Sequence, residues 1–302
     1  MDFNVNSRNQ SVHFPLLEDI ELVIKREDEI HPDISGNKYR KLKYNLIAAR
    51  EQGFDTLVTF GGAYSNHIAA TAAVGLKFGF KTIGIIRGEE IVDKIEGNAT
   101  LAFAQKCGMQ FKFITRSLYR EKENDTFLST LKDELGNYYL IPEGGTNSLA
   151  IKGCEEILTK EDKSFDYICT SVGTGGTISG IINSTEPHQK VIGFSSLKGD
   201  FLKDEIAKWT TKNNWELNTD FHFGGYAKIN NELISFINNF KLVTDVPLDP
   251  IYTGKMLYGI VDMAKNKVFK KGSKILAIHT GGLQGIAGMN NILKQKNYLQ
   301  LI

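Results

Sequence analysis

Lys38 lies in the stretch Gly36-Asn37-Lys38-Tyr39-Arg40-Lys41-Leu42, and its type and place suggest a nucleophilic amine. Gly36 lets the backbone turn, Asn37 reads as the N-cap of a helix, and Tyr39, Leu42, Leu46 and Ala49 recur on one face of that helix. A protonated amine in the first turn of a helix meets the positive end of the helix dipole. That setting disfavours the ammonium form and leaves the amine freer to condense with an aldehyde. The competing reading is that Lys38 belongs to a solvated basic face with Arg40, Lys41 and Lys43. This stretch by itself leaves both readings open.

Two more stretches add the rest of a ligand site. The run 56–60 reads as a buried strand that enters Gly61-Gly62-Ala63-Tyr64-Ser65-Asn66-His67 and then an Ala-rich helix. The run 167–172 reads as another buried strand, leading into Gly173-Thr174-Gly175-Gly176-Thr177 and a second helix. Glycine turns at helix starts bring backbone N–H groups close to an anion. The second turn would cradle a phosphate and the first a carboxylate. A ligand with both an aldehyde and a phosphate would engage Lys38 and the turn at 173 together. Pyridoxal phosphate is such a ligand.

These residues need a scaffold, and the pattern around them supplies one. Strand-like runs at 20–25, 56–60, 81–86, 109–114 and 138–141 alternate with helix-like runs at 98–107 and 124–134, which predicts an α/β protein with parallel sheets. A helix is expected over 150–158. The alternation resumes with strands at 167–172, 191–195 and 275–278, and with helices from Thr177, Asp200 and Leu283. The Asn-rich run 212–218 reads as a surface loop, and 205–250 carries no firm assignment. Ser65, Gly173 and Thr280 all fall beyond the carboxyl end of a strand, where open parallel sheets bind ligands.

The chain has 302 residues, with 36 basic and 35 acidic side chains, and no basic tail that would point to nucleic acid. Its N-terminus lacks the basic and apolar regions of a secretory signal, and no apolar run approaches membrane-spanning length. The three cysteines, Cys107, Cys154 and Cys169, have neither disulfide-framework nor metal-ligand spacing. A cytoplasmic protein with no metal and no membrane or nucleic-acid partner is expected.

The sequence resembles the fold-type-II pyridoxal phosphate enzymes, and within them the 1-aminocyclopropane-1-carboxylate deaminases and D-cysteine desulfhydrases. The resemblance covers most of the chain. It rests on Lys25-Arg26-Glu27-Asp28, Gly36 to Leu42, Gly61 to His67, Pro142-Glu143-Gly144-Gly145, Gly173 to Thr177, Asp249-Pro250-Ile251-Tyr252-Thr253-Gly254-Lys255 and His279-Thr280-Gly281-Gly282. Ser35 stands where a further glycine is usual, and the lead before Glu27 is short. The resemblance implies a tryptophan synthase β-like fold of two open parallel-sheet α/β domains. The large domain would take residues 1–45 and 149–302, with a small domain of 46–148 inserted, and two copies would form a homodimer. It also implies that Lys38 carries the cofactor as a Schiff base and that Gly173, Thr174, Gly175, Gly176 and Thr177 hold the phosphate. Asn66 would bond the phenolic oxygen, and Thr280 would approach the pyridine nitrogen. Ser65, with Asn66 and His67 beside it, would bind the substrate, and Tyr252 and Thr253 would reach it from the other side. The His67 and His279 rings read equally as structural.

A small amino acid is then the expected substrate. Desulfhydrase-like elimination from D-cysteine would give pyruvate, ammonia and sulfide; the alternative is ring opening of 1-aminocyclopropane-1-carboxylate to 2-oxobutanoate and ammonia. Within the resembled group the deaminases carry Glu and Leu at the positions of Thr253 and Thr280, so the threonine pair favours the desulfhydrase. A dinucleotide oxidoreductase would need its glycine turn after an early strand and an acidic residue ~20 positions on. A non-catalytic ligand-binding protein would have no need of Lys38.

Overall fold

The computed structural model describes every residue except Asp2, Asn4 and Ser35. The elements in order are β1 (Asn9–Val12), β2 (Glu21–Lys25), α1 (Asn37–Glu51), β3 (Thr56–Gly61), α2 (Asn66–Phe78), β4 (Lys81–Arg87), α3 (Ala99–Lys106), β5 (Gln110–Ile114), α4 (Arg116–Arg120), α5 (Asp125–Leu135) and β6 (Tyr139–Ile141). They continue with α6 (Ser148–Cys154), β7 (Tyr167–Val172), α7 (Gly176–Ser184), β8 (Lys190–Ser195), α8 (Leu202–Ala207), β9 (Trp215–Asn218), α9 (Asn231–Thr244), α10 (Thr253–Lys265), β10 (Lys274–Ile278) and α11 (Gly285–Gln295). The expected α/β alternation is therefore present, and it builds two sheets.

One sheet has the order β1-β2-β10-β7-β8-β9 and the other β5-β4-β3-β6. Pairing is parallel throughout except between β1 and β2. The inner strands read as continuous apolar runs because both faces are covered. On β10, Ile275 and Ala277 join one apolar cluster while Leu276 and Ile278 join the cluster on the opposite face. The second sheet is built from 56–141 alone, and the first from segments on either side of it.

Four local expectations need correction. Residues 215–218 form the edge strand β9 rather than a loop, because Trp215 and Leu217, at alternate positions, pack on the core while the polar residues between them face away. The N-cap of α1 is Gly36, and Asn37 is the first helical residue. The helix expected over 150–158 ends regularly at Cys154. Arg40 and Lys41 do not belong to a solvated face: both are buried. The expected substitution at Ser35 lies outside the described residues.

The charges around α1 have a structural explanation. Arg40 donates two hydrogen bonds to the Glu27 carboxylate, at 2.9 and 2.8 Å, and both side chains are buried. Lys25 pairs with Asp162 at 2.6 Å and Arg26 with Asp28 at 2.7 Å, again buried. The Arg40–Glu27 pair ties the start of α1 to the segment after β2, and removing one partner of any of these buried pairs would strand the other. Close backbone approach fixes the rest. A Cβ at Gly153 would lie 2.0 Å from the Arg40 carbonyl oxygen, so α6 packs directly on α1. Tyr39, Leu42, Leu46 and Ala49 fill one core cluster with Leu57 and Ile141 from the second sheet, as the helical spacing predicted.

Candidate active site

Six parallel strands deliver their carboxyl ends to one cavity of about 460 Å3. Gly62 to His67 come from the turn after β3, Arg87 from the end of β4, and Glu143 and Gly144 from after β6. Gly173 to Gly175 and Thr177 follow β7, Leu197 follows β8, and Thr280 and Gly281 follow β10. This is where a parallel sheet leaves room for a ligand.

Lys38 lines the cavity from the first turn of α1. The helix start is held against the end of β10: the Asn37 N–H donates to the Thr280 carbonyl at 3.2 Å. Gly36 has φ 61°, and a Cβ there would sit 2.0 Å from the same oxygen, so the close approach requires glycine. Asn37 donates from its side chain to Thr177 Oγ1 at 2.8 Å, tying the lysine turn to the start of α7. Among the described residues the Lys38 amine has no carboxylate partner; its contact is a long 3.5 Å approach to Asn37 Oδ1. Burial lowers its pKa to about 8.

Lys41, one turn further on, is the cation whose setting the sequence misrepresents. It is almost wholly buried and donates to the Gly144 carbonyl at 2.7 Å, to Thr146 Oγ1 at 2.8 Å and to Thr174 Oγ1 at 3.4 Å. Burial first, and then the charge on Lys38, push its pKa down to about 7. The three-residue spacing from Lys38 places both amines on one side of the helix, and that spacing is visible in the sequence.

Around Lys41 the second glycine turn has the form of an anion cradle. Gly175 caps α7 at φ 85°, a left-handed conformation that favours glycine. A Cβ at Gly173 would lie 3.2 Å from the Tyr252 ring, and one at Gly176 would lie 2.9 Å from Thr146. Gly176 itself does not line the cavity; its neighbours do. Free N–H groups at the α7 N-terminus, the hydroxyls of Thr174 and Thr177, and a buried lysine without a carboxylate form a donor set suited to a phosphate dianion. The residues present therefore fit the phosphate end of pyridoxal phosphate, with an amine at Lys38 for the aldehyde end.

The first turn is also placed as expected. Ser65 is the N-cap of α2 and its oxygen accepts from the Ile68 N–H at 3.3 Å, which leaves its own proton free to donate. Asn66 lines the cavity beside Gly282, where a Cβ would be 3.0 Å from its side-chain nitrogen. His67 also borders the cavity, but it is buried, its Nε2 lies 2.8 Å from Thr59 Oγ1, and burial beside two lysines holds its pKa well below the ordinary value. It is a neutral ring tied into β3. His279 is likewise structural, with Nε2 2.7 Å from the Pro247 carbonyl.

Thr280 reaches the cavity, where its hydroxyl and that of Ser171 lie 3.0 Å apart. Thr253 does not. Its side chain is fully buried, and its hydroxyl donates to Asp249 Oδ1 at 2.8 Å while accepting from the Asp249 N–H. Direct substrate contact by Thr253, expected from the sequence, has no support in this geometry. Asp249 instead organises the start of α10, accepting from the N–H groups of Ile251, Tyr252 and Thr253 at 2.7 to 3.0 Å and thereby aiming Tyr252 into the cavity. Tyr252 stands edge-on to Tyr226, with ring centroids 6.3 Å apart, and burial raises both phenols. Tyr226 escapes sequence reading because it lies in a Gly-rich loop with no periodicity. Arg87 and Glu143 also join the site without a sequence signal for that role. Glu143 is the single carboxylate among the described lining residues, and it accepts from the Tyr119 hydroxyl at 2.7 Å.

Residues 10–281 match the family described as pyridoxal-phosphate dependent enzymes. The chain belongs to that family. Its relatives include a Pyrococcus horikoshii protein provisionally named a 1-aminocyclopropane-1-carboxylate deaminase, 32% identical over 88% of this chain and 85% of the relative. Another is the mitochondrial bifunctional D-cysteine desulfhydrase/1-aminocyclopropane-1-carboxylate deaminase of Arabidopsis thaliana, 32% identical over 88% of this chain and 73% of that protein. The crystal structure of a 1-aminocyclopropane-1-carboxylate deaminase homologue superimposes with a TM-score of 0.83 at 27% identity, covering 97% of this chain and 94% of the other. This pyridoxal-phosphate-dependent enzyme is accordingly a lyase or deaminase, and its cofactor is pyridoxal phosphate. No helix among its described residues is long and apolar enough to cross a membrane.

Proposed function

We propose that the enzyme eliminates thiol from a small amino acid such as D-cysteine, converting it with one water to pyruvate, ammonia and hydrogen sulfide. The observation that carries this reading is the neutral hydroxyl pair of Thr280 and Ser171 at the cavity, 3.0 Å apart, on a side where no lining residue is a carboxylate. Lys38 would hold the cofactor's aldehyde end. The turn 173–177 and Lys41 would hold its phosphate, Asn66 its phenolic oxygen, and Thr280 its ring nitrogen. Bound there, pyridoxal phosphate supplies an electron sink for charge developing at the substrate α-carbon. A neutral hydroxyl pair leaves that sink weaker than a carboxylate beside the ring would, since an anion there keeps the nitrogen protonated. Loss of a thiolate needs less help than opening a carbon ring.

The chain's own groups supply the remaining functions. The Ser65 hydroxyl and the N–H groups of its turn orient the substrate carboxylate. Lys38 Nζ, whose pKa burial lowers to about 8 so that the free amine is more accessible than in an ordinary lysine, takes the proton from the α-carbon. Tyr252, whose phenol is held protonated, and Tyr226 beside it close the cavity on the substrate side and can donate to the departing group. The division into 1–45 with 149–302 and 46–148, a homodimer and a cytoplasmic location belong to the same reading.

Sulfide release from D-cysteine and 2-oxobutanoate formation from 1-aminocyclopropane-1-carboxylate, measured on one preparation, decide the matter. Ready sulfide release with little or no 2-oxobutanoate is expected. A preference for the cyclopropane would show that the Thr280 hydroxyl does not set the choice.

A further inference from the structure

Among the described residues that line the cavity, Arg87 is the one lysine or arginine with no task in the proposed chemistry. It stands at the carboxyl end of β4 and lines the cavity together with Gly62, Tyr226 and Glu143. A Cβ on Gly62 would lie 3.4 Å from its Nη2, so the guanidinium rests against the backbone of the turn proposed to receive the substrate carboxylate. Among the described residues it pairs with no carboxylate. Its contact is the Tyr119 ring, 5.5 Å from centroid to guanidinium carbon. Glu143, the acid of this cavity, is already engaged by the Tyr119 hydroxyl and by Lys122 at 3.4 Å. Arg87 also acts on Tyr226 electrostatically, pulling that phenol down against the burial that raises it.

The charges of the expected ligands leave Arg87 unmatched. The cofactor phosphate lies with Lys41, and a simple amino acid brings one carboxylate balanced by its own amine. Arg87 is exposed at the edge of the cavity, and a guanidinium so placed is matched by a planar or tetrahedral oxyanion, to which it offers parallel hydrogen bonds. We propose that Arg87 determines specificity by receiving a second anionic group on the substrate side chain, so that a small α-amino acid with an acidic side chain binds more tightly than its neutral counterpart. This rests on the reading of the cavity as a site for a small amino acid, but not on D-cysteine being the substrate.

The test compares aspartate with asparagine, in both enantiomers, as probes of equal shape that differ in side-chain charge. Binding to the cofactor-loaded enzyme is followed by calorimetry, which needs no turnover. The parent should bind the better aspartate enantiomer roughly tenfold or more tightly than the matching asparagine, the usual worth of one charge-assisted pair. Arg87→Gln should abolish that ratio by weakening aspartate, and Arg87→Lys should retain part of it. Equal binding of the two probes by the parent, or an unchanged ratio in Arg87→Gln, overturns the proposal. If neither probe binds while D-cysteine still yields sulfide, the proposal fails and the desulfhydrase reading stands. If D-cysteine and the cyclopropane are both inert and the Arg87-dependent ratio is present, the proposal stands and the desulfhydrase reading falls.

Discussion

Replacing Lys41 with methionine should flatten the pH dependence of stability of the cofactor-free protein. Burial and the neighbouring Lys38 hold Lys41 at a pKa of about 7, against an ordinary value of 10.5. Between those values the unfolded chain binds a proton that the folded chain does not, so the free energy of unfolding rises with pH across the window. One such proton contributes at most about 1.4 kcal/mol per pH unit. Lys38 and Lys255, each lowered to about 8, add slope of the same sign from the middle of the window upward. Removing Lys41 takes its contribution away, so the variant's slope should be shallower than the parent's by an expected ~1 kcal/mol per pH unit. The variant also leaves the Gly144 carbonyl without its donor and takes one donor from the mutually bonded Thr146–Thr174 hydroxyl pair, a cost of about 1–3 kcal/mol that shifts the whole profile and leaves its slope alone. The assay is urea unfolding of apoprotein and apo-Lys41→Met from about pH 7.5 to about pH 9.5. Inorganic phosphate should flatten the parent's profile too, because an anion in the cradle restores the charged amine. Parallel profiles for parent and variant would refute the reasoning, since they would mean that Lys41 keeps its proton in the empty cavity.

Gly175→Asn and Gly175→Asp are alike in size, in their tolerance of φ 85° and in meeting Ile206 at 3.3 Å, so their difference isolates charge. Both should lose roughly 1 kcal/mol of stability, while the aspartate variant alone should lose cofactor on dialysis. Asp249→Asn replaces one oxygen of a carboxylate that accepts from three backbone N–H groups and from the Thr253 hydroxyl, at 2.7 to 3.0 Å. It should lower stability by about 1–2 kcal/mol and raise KM through misplacement of Tyr252, read from a melting curve and steady-state kinetics on one preparation.

Much of the frame was legible because its elements carry strong local signals. The buried strands 56–61 and 167–172 are apolar runs ended by glycine turns, and Lys38, Ser65, Asn66, Gly173 and Thr280 arrive at one cavity because each sits at a strand end or a helix start. The faults came where distant partners decide. Arg40 and Lys41 look like solvent-facing cations until Glu27, Gly144 and Thr146 are brought beside them from other parts of the chain. Trp215 and Leu217 signal a strand only once the edge of β8 is there to pair with. Thr253 shares a motif with Tyr252, yet the cap formed by Asp249 turns it into the core. Arg87, at the end of β4, and Tyr226, in an irregular loop, have no periodicity or motif to mark them.

Borohydride reduction of the purified enzyme, followed by peptide mapping of the product, shows which amine holds the cofactor. The pyridoxyl adduct should fall on Lys38 and disappear in Lys38→Ala, whose phosphate cradle remains intact. An adduct on Lys41 or another lysine, or no adduct at all, would contradict the account.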